Sequence, residues 1–366
     1  METQVLIIGG GIAGLSLAWR LAPAIPVVVV EAEATLAFHT SSRSARQMQP
    51  SYGPAPIAEL TRRSIKMVRD ISASLVAPIL KPRPLLTLGT VEEVVALVAA
   101  HPGLEVIGHA ETLRRSPDLH ADVFEAAALD GTAMEVDVPA LIEHYRSQAV
   151  AAGAVVLTGA PVTRIDATAR DSAPGFTVLA WEQVISAALV VNAAGAWADT
   201  VAAMAGAAPR GLVPYRRSVA IVSTKLPVDP AGPMVEPVDE SFYYRPDGGH
   251  LLISPCESVP AEPGDARVVD ADIAELIGRI DAVTSLGVAG VVRAWTGLRT
   301  QPADGLPVVG FDASVPGFFW LAGQGGYGIQ TSAALATLAA ALITGTLPND
   351  DHDLASALSP QRAGLK

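Results

Sequence analysis

The sequence is poor in cysteine and in positive charge, and both shortages limit the classes of protein it can encode. Its one cysteine, Cys256, cannot form an intrachain disulfide or supply a cysteine-based zinc or iron–sulfur site, and it fits a reducing compartment such as the cytoplasm. Lysine and arginine number 25 against 37 aspartate and glutamate residues, for a net charge of −12. Binding to nucleic acid or to an anionic membrane is therefore not expected. No metal site is expected either, because the seven histidines show no short ligand spacing.

Apolar runs long enough to cross a bilayer are lacking as well. The N-terminal run (residues 1–19) has no basic leader and is interrupted by regularly spaced glycines, so it is not expected to be a signal peptide. The C-terminal run (329–345) is short and rich in small and polar residues, which is typical of a buried helix. Half of the 366 residues are hydrophobic, which predicts a globular protein with two domains or one large composite fold.

The order of apolar segments predicts the fold class. Residues 5–8 form an apolar run that ends at glycine, residues 12–21 have helical character, and residues 27–30 form a second run that ends at Glu31. Two continuous apolar runs joined by a helix predict a β-α-β unit and a parallel sheet covered on both faces. Between about 210 and 293, apolar and polar residues alternate and a turn signal stands at 246–249, which predicts an antiparallel sheet.

These signals together predict an α/β (α+β) protein, with a Rossmann-type dinucleotide-binding domain and an inserted substrate domain whose sheet is mixed or antiparallel. Because the two kinds of segment interleave, we expect the first domain to comprise 1–78, 136–206 and 296–366, and the second to comprise 79–135 and 207–295. A helix is predicted after Asp137, its N-cap, and is expected to end at Gly153.

The first turn carries a G-x-G-x-x-G motif at Gly9, Gly11 and Gly14, and Glu31 follows at the end of the next strand. The first glycine permits the tight turn, the second lets a pyrophosphate approach the helix N-terminus, and the third allows close helix–strand packing. The acidic residue accepts hydrogen bonds from the adenosine ribose. The motif predicts dinucleotide binding rather than a ligand-free glycine turn, but it does not separate NAD from FAD.

Three downstream segments favour a flavin. Arg43 and Ser44 follow the second strand, where they could meet a pyrophosphate; NAAGAW (192–197) places small residues after another strand; and GQGGYGIQTSAA (323–334) is a second glycine loop ahead of a helix. The N-terminus of that helix could stabilise negative charge on a reduced flavin. Each segment alone could be a packing turn, but their combination favours flavin over nicotinamide.

The chain also resembles a known family, through VVNAAGAWAD, YRRS, DESFYYRPD, WTGLR followed by ADG, and FFWLAGQGGYGIQTSAA. These segments resemble the FAD-dependent D-amino acid oxidase superfamily, which includes glycine and sarcosine oxidases. The closest resemblance is to bacterial D-arginine dehydrogenase-like D-amino acid dehydrogenases. It spans nearly the whole chain, although residues 90–130 match poorly.

The resemblance implies a noncovalently bound FAD, since Cys256 does not stand where sarcosine oxidases attach their flavin. The residues implied in FAD binding are Gly9, Gly11, Ile12, Ala13, Gly14, Glu31, Ala32, Arg43, Ser44, Val162, Ala193, Ala194, Gly195, Trp197, Gly325, Gly326, Tyr327, Gly328, Ile329 and Gln330.

By the same resemblance, Arg217 of YRRS and Arg299 of WTGLR clamp the substrate carboxylate. A guanidinium matches a carboxylate bidentately and stays charged at any useful pH. The alternative for each arginine is a structural ion pair, because acidic residues are plentiful. Arg216 is the adjacent candidate, and a neighbour on the same strand is expected to point to the other face.

Five further positions complete the implied substrate site. Tyr52 resembles a mobile loop tyrosine, Tyr243 a second tyrosine of the site, and Gly326 the glycine whose carbonyl accepts from the substrate amine. Gln47 stands where D-arginine dehydrogenases have a histidine, and Leu85 stands where they have a glutamate that pairs with a guanidinium. Because leucine cannot pair with a buried cation, a neutral, apolar or small substrate side chain is expected.

The resemblance implies oxidative deamination of a D-amino acid by hydride transfer from the α-carbon to flavin N5, giving an imino acid that hydrolyses to a 2-oxo acid and ammonia. The preference for D- or L-amino acids stays open, as does the acceptor, oxygen or a quinone. The alternatives are an oxidase of glycine or an N-methyl amino acid, a non-catalytic dinucleotide-binding regulatory protein, and a membrane-associated respiratory dehydrogenase, although no span or basic amphipathic helix favours the last. A cytoplasmic location is expected.

Overall fold

The computed structural model describes residues 1–170 and 173–365. The strands are β1 (Glu2–Ile8), β2 (Val27–Val30), β3 (Gln47–Met48), β4 (Leu80–Pro82), β5 (Leu85–Gly89), β6 (Glu105–Gly108), β7 (Ala126–Asp130), β8 (Met134–Val136), β9 (Val155–Leu157), β10 (Val162–Arg170), β11 (Ala173–Ala180), β12 (Gln183–Asn192), β13 (Val213–Thr224), β14 (Met234–Pro237), β15 (Tyr243–Asp247), β16 (His250–Ser254), β17 (Val259–Pro260), β18 (Val288–Gln301), β19 (Val308–Phe311) and β20 (Phe318–Ala322).

The α-helices are α1 (Ile12–Leu21), α2 (Ala55–Ser72), α3 (Val91–Ala100), α4 (His109–Arg115), α5 (Val138–Ala151), α6 (Ala198–Met204), α7 (Asp270–Val283), α8 (Gly328–Thr344) and α9 (His352–Leu358). Short 3₁₀ turns span Thr40–Arg43, Gly195–Trp197 and Asn349–Asp351.

The first sheet contains the predicted β-α-β unit. Its order is β10-β11-β12-β1-β2-β9, with β20 beside β12 and β19 beside β20. The strands β12, β1, β2 and β9 run parallel, as do β12 and β20. Helix α1 and strand β2 have the predicted bounds, whereas β1 begins at Glu2 because its first residues already pair with β12. The parallel strands therefore bring their carboxyl ends to one edge, next to the glycine turns.

The apolar run of β1 reflects burial on both faces of this sheet. Leu6 and Ile8 lie in a core that includes α6, whereas Val5 and Ile7 lie in a second core with α1 and α8. Helices α5 and α2 pack outside α1 and α8 respectively. A strand covered on both sides has no reason to alternate apolar and polar residues, which explains the continuous hydrophobic run.

The second sheet follows the order β17-β13-β16-β15-β14-β5-β7-β6, with β18 on the other edge of β13. It is mostly antiparallel, and Asp247 pairs with His250 across the predicted two-glycine hairpin. One pair, β14 with β5, is parallel, so the sheet is mixed. Helix α7 covers one face through Ile273, Leu276 and Ile280. The opposite face carries residues that reach the cavity described below.

The segments between the sheets also follow from local chemistry. The predicted loop at 40–56 contains a 3₁₀ turn and β3, which joins β8 and β4 in a small third sheet. Asp137 caps α5 as predicted, accepting a hydrogen bond from Ala140 N at 3.0 Å, and Gly153 follows the helix with φ +98°. The predicted domain boundaries stay a prediction; the one between 295 and 296 falls within β18.

Two absences concern the part of the chain that the structure describes. Over residues 1–170 and 173–365, no single helix is both long and apolar enough to cross a membrane; Gly328–Thr344 and Asn349–Leu358 pass that test only as a pair bent by 115°. Within the same ranges, no group of three or more histidine, cysteine or acidic residues could hold a metal ion.

Candidate active site

A cavity of about 450 Å³ lies at the carboxyl ends of β1, β2 and β12 and extends to the face of the second sheet. Every site residue predicted from the sequence lines it except Gly14, Leu85 and Tyr327. The structure thus brings together residues as distant in the chain as Gly9, Tyr52, Arg217 and Arg299.

The first glycine turn closes one end of this cavity. Glu31 Oε2 accepts a hydrogen bond from Gly10 N at 2.7 Å, and Oε1 accepts one from Glu33 N at 2.9 Å, so the carboxylate is fixed beside the turn. Gly9 has φ +114°, and a Cβ on it would lie 2.3 Å from Ala193 O. Gly14 does not line the cavity, because it packs α1 against this turn. The backbones here approach too closely for any side chain.

The start of α1 and the neighbouring 3₁₀ turn form the next part of the wall. Ile12 N donates to Ser41 Oγ at 3.0 Å, a contact that sequence reasoning missed. Arg43, expected near a pyrophosphate, lines the cavity, but its guanidinium donates to Thr296 O at 2.6 Å and pairs with Asp265 at 2.9 Å. This arginine therefore ties the 3₁₀ turn to β18.

The second glycine loop connects β20 to α8 and meets the end of β18. Gly325 N donates to Thr300 O at 2.8 Å, and a Cβ on Gly325 would lie 2.4 Å from Gln301 Oε1. Tyr327 does not line the cavity, although its ring lies 5.1 Å from that of Tyr52, which does. Burial, with the nearby Tyr52 adding to it, raises the pKa of Tyr327 to about 12, so this phenol stays protonated.

The two predicted clamp arginines lie on one face of the β13–β18 ladder. Tyr215 pairs with Arg299 and Arg217 pairs with Gly297, so the two arginines are diagonal neighbours. Arg216 points to the other face, where its guanidinium contacts Asp272 of α7 at 3.0 Å. This alternation is the behaviour expected of adjacent strand residues.

Few protein groups neutralise these two guanidinium groups. Arg217 Nε donates to Glu257 O at 2.8 Å, and Arg299 Nη1 donates to Tyr52 Oη at 3.2 Å. Burial acts to lower the pKa of Arg299, but the facing Tyr52, Tyr243 and Cys256 outweigh it and raise the pKa. Both side chains therefore present positive charge to the cavity, and among the described residues neither forms an ion pair with a carboxylate.

Tyr243 stands beside this pair of arginines. Its side chain is only 4% exposed, and its hydroxyl is buried with no hydrogen-bond partner among the residues that the structure describes. Burial raises its pKa, and the positive charge of Arg299 partly offsets that effect. A buried, protonated hydroxyl beside two cations is suited to donate to an anionic ligand.

Sequence reasoning missed several residues of the cavity wall. Gln49, Met234, Glu236 and Glu240 all line it, and so does Cys256, whose thiol has its pKa raised by burial to about 11. The strand alternation of 47–49 and 234–236 is the signal that could have found three of them, since Gln47 and Gln49 share one face, as do Met234 and Glu236.

The prediction drawn from Leu85 is not supported. Leu85 is 2% exposed and lies in a core cluster with Met234 and Tyr243 rather than on the cavity surface. Its side chain therefore packs in the core behind the cavity lining. The expected preference for a neutral substrate side chain loses the observation on which it was based.

The residues of the cavity fit FAD, the cofactor predicted from the sequence. Glycine backbones form the walls at Gly9 and Gly325, where a Cβ would collide with backbone or side-chain oxygen. Helices α1 and α8 each begin at the cavity after a glycine turn, which suits an anionic pyrophosphate or a reduced flavin ring. A volume of about 450 Å³ is within the usual range for cofactor sites.

Comparison with known proteins places this geometry in context. Residues 4–342 match the model of a protein family described as FAD dependent oxidoreductase. A glycine oxidase from Geobacillus kaustophilus is 25% identical over 357 residues, covering 93% of this chain and 92% of that protein. The hydrogen cyanide synthase subunit HcnC of Pseudomonas aeruginosa is 29% identical over 186 residues, covering 50% of this chain and 43% of that protein.

Solved structures share the fold over almost the whole length. The crystal structure of the Geobacillus kaustophilus glycine oxidase superposes with a TM-score of 0.82 at 24% identity, covering 99% of each chain. That of an L-proline dehydrogenase from P. horikoshii gives a TM-score of 0.81 at 20% identity, covering 98% of this chain and 97% of the other.

Proposed function

This chain belongs to the family of FAD-dependent oxidoreductases, and from that premise we propose that it oxidises the α-carbon–nitrogen bond of a D-amino acid. More generally, it is a FAD-dependent oxidoreductase of amino acids or amines. The observation that carries the proposal is the pair Arg217 and Arg299, which share one face of the β13–β18 ladder and line the cavity. Two cations without carboxylate partners, beside the unpartnered hydroxyl of Tyr243, suit an α-carboxylate.

The chain's own residues would bind and orient the substrate. Arg217 and Arg299 hold the carboxylate, Tyr52 covers it through the contact it already makes with Arg299, and Gly326 O accepts from the amine. Fixing both groups of the substrate sets the direction of its Cα–H bond, which is the main contribution a protein makes to such a reaction. Bound FAD would supply the acceptor for the hydride that leaves this carbon, and water would hydrolyse the imino acid product to a 2-oxo acid and ammonia.

The flavin is proposed to be noncovalent, even though Cys256 lies on the cavity wall. Attachment would require the thiolate as nucleophile, and a pKa near 11 keeps Cys256 protonated at neutral pH. We expect acid precipitation of the purified protein to release all of its flavin into the supernatant. We also expect alkylation of Cys256 by iodoacetamide to be slow at pH 8 and to accelerate as the pH rises towards 11, because the thiolate fraction grows. Yellow colour that stays with the precipitate, and disappears in Cys256→Ala, would contradict the proposal.

The test of the proposed function is a panel of amino acids assayed by anaerobic reduction of the flavin. D-amino acids should bleach the flavin absorbance faster than their L-enantiomers, glycine and sarcosine. Running turnover with oxygen and then with an artificial acceptor separates an oxidase from a dehydrogenase. A flavin that no amino compound reduces would revive the non-catalytic alternative.

A second candidate is oxidation of glycine or an N-methyl amino acid on the same clamp. The observation that favours it is the 25% identity to a glycine oxidase across 93% of this chain. Glycine or sarcosine would then be the best substrates of the same panel, and side-chain-bearing D-amino acids would be poor.

A further inference from the structure

We propose that Glu236, together with Gln47 and Gln49, selects substrates whose side chain ends in a positively charged hydrogen-bond donor, such as an ammonium group. These three residues are called the acceptor face below. The inference rests on the proposed function, since it takes the substrate carboxylate to lie on Arg217 and Arg299.

Strand β14 places Glu236 in the cavity wall. Val235 is fully buried in the core beneath α7, whereas Met234 and Glu236, on the alternate face, line the cavity. Glu236 pairs with Thr87 of β5, and the nearby Thr87 side chain acts to lower the pKa of its carboxyl group. Glu236 is only partly exposed, so its carboxyl group belongs to the cavity wall rather than to the open surface.

Gln47 adds a neutral acceptor near the start of that strand, and Gln49 adds a second one elsewhere in the cavity wall. Gln47 Nε2 donates to Arg83 O at 2.9 Å, which fixes the amide so that Oε1 is the free end. The next residue after Arg83, Pro84, accepts a hydrogen bond from Met234 N at 2.9 Å, so Gln47 stands beside the start of β14.

Both glutamine oxygens are left without a protein donor. Gln47 Oε1 and Gln49 Oε1 are buried and have no hydrogen-bond partner among the described residues, although both side chains line the cavity. Buried carbonyl oxygens without partners are costly, and a ligand that donates hydrogen bonds removes that cost. The acceptor face thus offers carboxyl and amide oxygens, and the complementary ligand group is a donor.

Strands β16 and β15 separate β14, which carries Glu236, from β13, which carries Arg217, and both charged groups influence Cys256. The two arginines act to lower the pKa of the Cys256 thiol and Glu236 acts to raise it, so the thiol lies close enough to the arginines and to Glu236 to respond to their charges. The pKa of Glu236 itself is shifted by burial, Glu240 and Thr87. A carboxyl serving the α-ammonium would be close to the arginines, because only one carbon separates that nitrogen from the carboxylate. Glu236 is therefore expected to contact the far end of the substrate side chain rather than the α-ammonium group.

The electrostatics of Glu236 give this recognition a pH dependence. Burial raises its pKa to about 8, and the negative charge of Glu240, in the loop after β14, adds to that effect. Among the residues that the structure describes, the titratable groups electrostatically linked to Glu236 are Glu240 and Cys256. Below pH 8 the carboxyl is mostly neutral, and above it the carboxylate predominates. Preference for a cationic side chain should therefore rise as the pH rises through 8, below the pKa of a lysine-type ammonium, about 10.4.

The experiment compares D-amino acids ending in ammonium (D-2,4-diaminobutyrate, D-ornithine, D-lysine) with methyl-ended counterparts (D-norvaline, D-norleucine). At pH 9, where the Glu236 carboxylate predominates, wild-type protein should favour the best ammonium-ended substrate in kcat/KM, and Glu236→Gln should reduce that ratio about tenfold or more. Glu92→Gln, an exposed carboxylate on α3, is the matched control and should leave the ratio unchanged. Glu240→Gln should keep the preference but move its onset to lower pH, because a like charge next to Glu236 is removed.

A binding measurement makes the result independent of turnover and of the variant's folding. Wild-type protein is titrated with 5-aminopentanoate and with pentanoate, neither of which has an α-amino group, and binding is followed by perturbation of the flavin spectrum. The aminocarboxylate should bind more tightly, by a ratio that grows between pH 6.5 and 9. Equal binding at all pH values, or a ratio of kcat/KM that Glu236→Gln does not change, overturns the inference. Oxidation of methyl-ended D-amino acids in that case leaves the proposed function intact, whereas failure of every amino acid to reduce the flavin refutes the proposed function itself.

Discussion

Arg299→Ala is expected to lower kcat/KM for the best amino acid substrate by about 100-fold to 1,000-fold. Removing the guanidinium leaves the carboxylate of the substrate in a partly buried site with Arg217 as its remaining cation, and truncation of one partner of a desolvated charge pair costs about 2–5 kcal/mol. The loss should appear in KM and in kcat, because the same contact that binds the carboxylate also orients the Cα–H bond. Steady-state kinetics at saturating acceptor measures both.

Arg216→Ala is the matched control for this prediction. It removes an arginine side chain from β13, at the position next to Arg217. That side chain lies on the opposite face of the sheet, where its guanidinium contacts Asp272 at 3.0 Å. We expect kcat/KM to stay within about twofold of the wild-type value, since this guanidinium lies on the face away from the cavity and cannot reach the substrate carboxylate. Arg299→Lys should recover only part of the loss, because an ammonium cannot reproduce the bidentate fork. Equal losses in the Arg216 and Arg299 variants would contradict assignment of the clamp to one face.

Elements governed by short-range chemistry could be predicted closely from the sequence. Helix α1 and strand β2 have the predicted bounds because the glycine turn and the apolar runs specify them locally. Asp137 and Gly153 bound α5 for similar reasons, one as a side-chain acceptor and the other as a residue that tolerates positive φ. The choice of Arg217 over Arg216 came from the family resemblance, and strand periodicity predicted only that the two neighbours point to opposite faces, as they do.

The wall of the substrate site could not be predicted in this way, because it depends on strand pairing between distant segments. Glu236 reaches the cavity since β14 pairs with β5 in one register, and nothing in the sequence near residue 236 specifies that partner. Leu85 shows the converse limit. It pairs with Met234 and packs in the same cluster, yet only Met234 lines the cavity, so neither a motif match nor strand alternation decides which side chain reaches a cavity. The expected preference for neutral side chains was drawn from a residue that lies in the core.

Arg43 illustrates a second limit. Its position after the second strand suggested a role at a pyrophosphate, but the groups that its guanidinium contacts, Thr296 and Asp265, are more than 200 residues away in the chain. An arginine with five donors takes the strongest acceptors within reach. Those acceptors become visible only when β18 is placed beside the 3₁₀ turn.

Gly14→Ala is expected to abolish stable FAD binding and to lower the free energy of unfolding by about 2 kcal/mol or more. A Cβ on Gly14 would lie 2.0 Å from Gly9 O. That oxygen cannot retreat, because Gly9 N is hydrogen-bonded to Val30 O at 2.9 Å and Gly9 itself lies against Ala193. Inserting a methyl group into such packing forces the backbone apart, and the displaced backbone is the turn proposed to receive the pyrophosphate. Flavin absorbance per protein and urea-induced unfolding measure the two effects.

Gly278→Ala separates this effect from the general consequence of changing a helical glycine. Gly278 lies in the interior of α7, and a Cβ there would meet nothing within 4 Å. Alanine should therefore stabilise the helix by up to about 1 kcal/mol and leave the flavin content unchanged. Opposite signs for the two glycine-to-alanine changes are expected, because helix propensity favours both and only Gly14 has a backbone oxygen in the way. Full flavin content in Gly14→Ala would show that the turn can widen without losing its ligand, and would remove the packing argument for the third glycine of the motif.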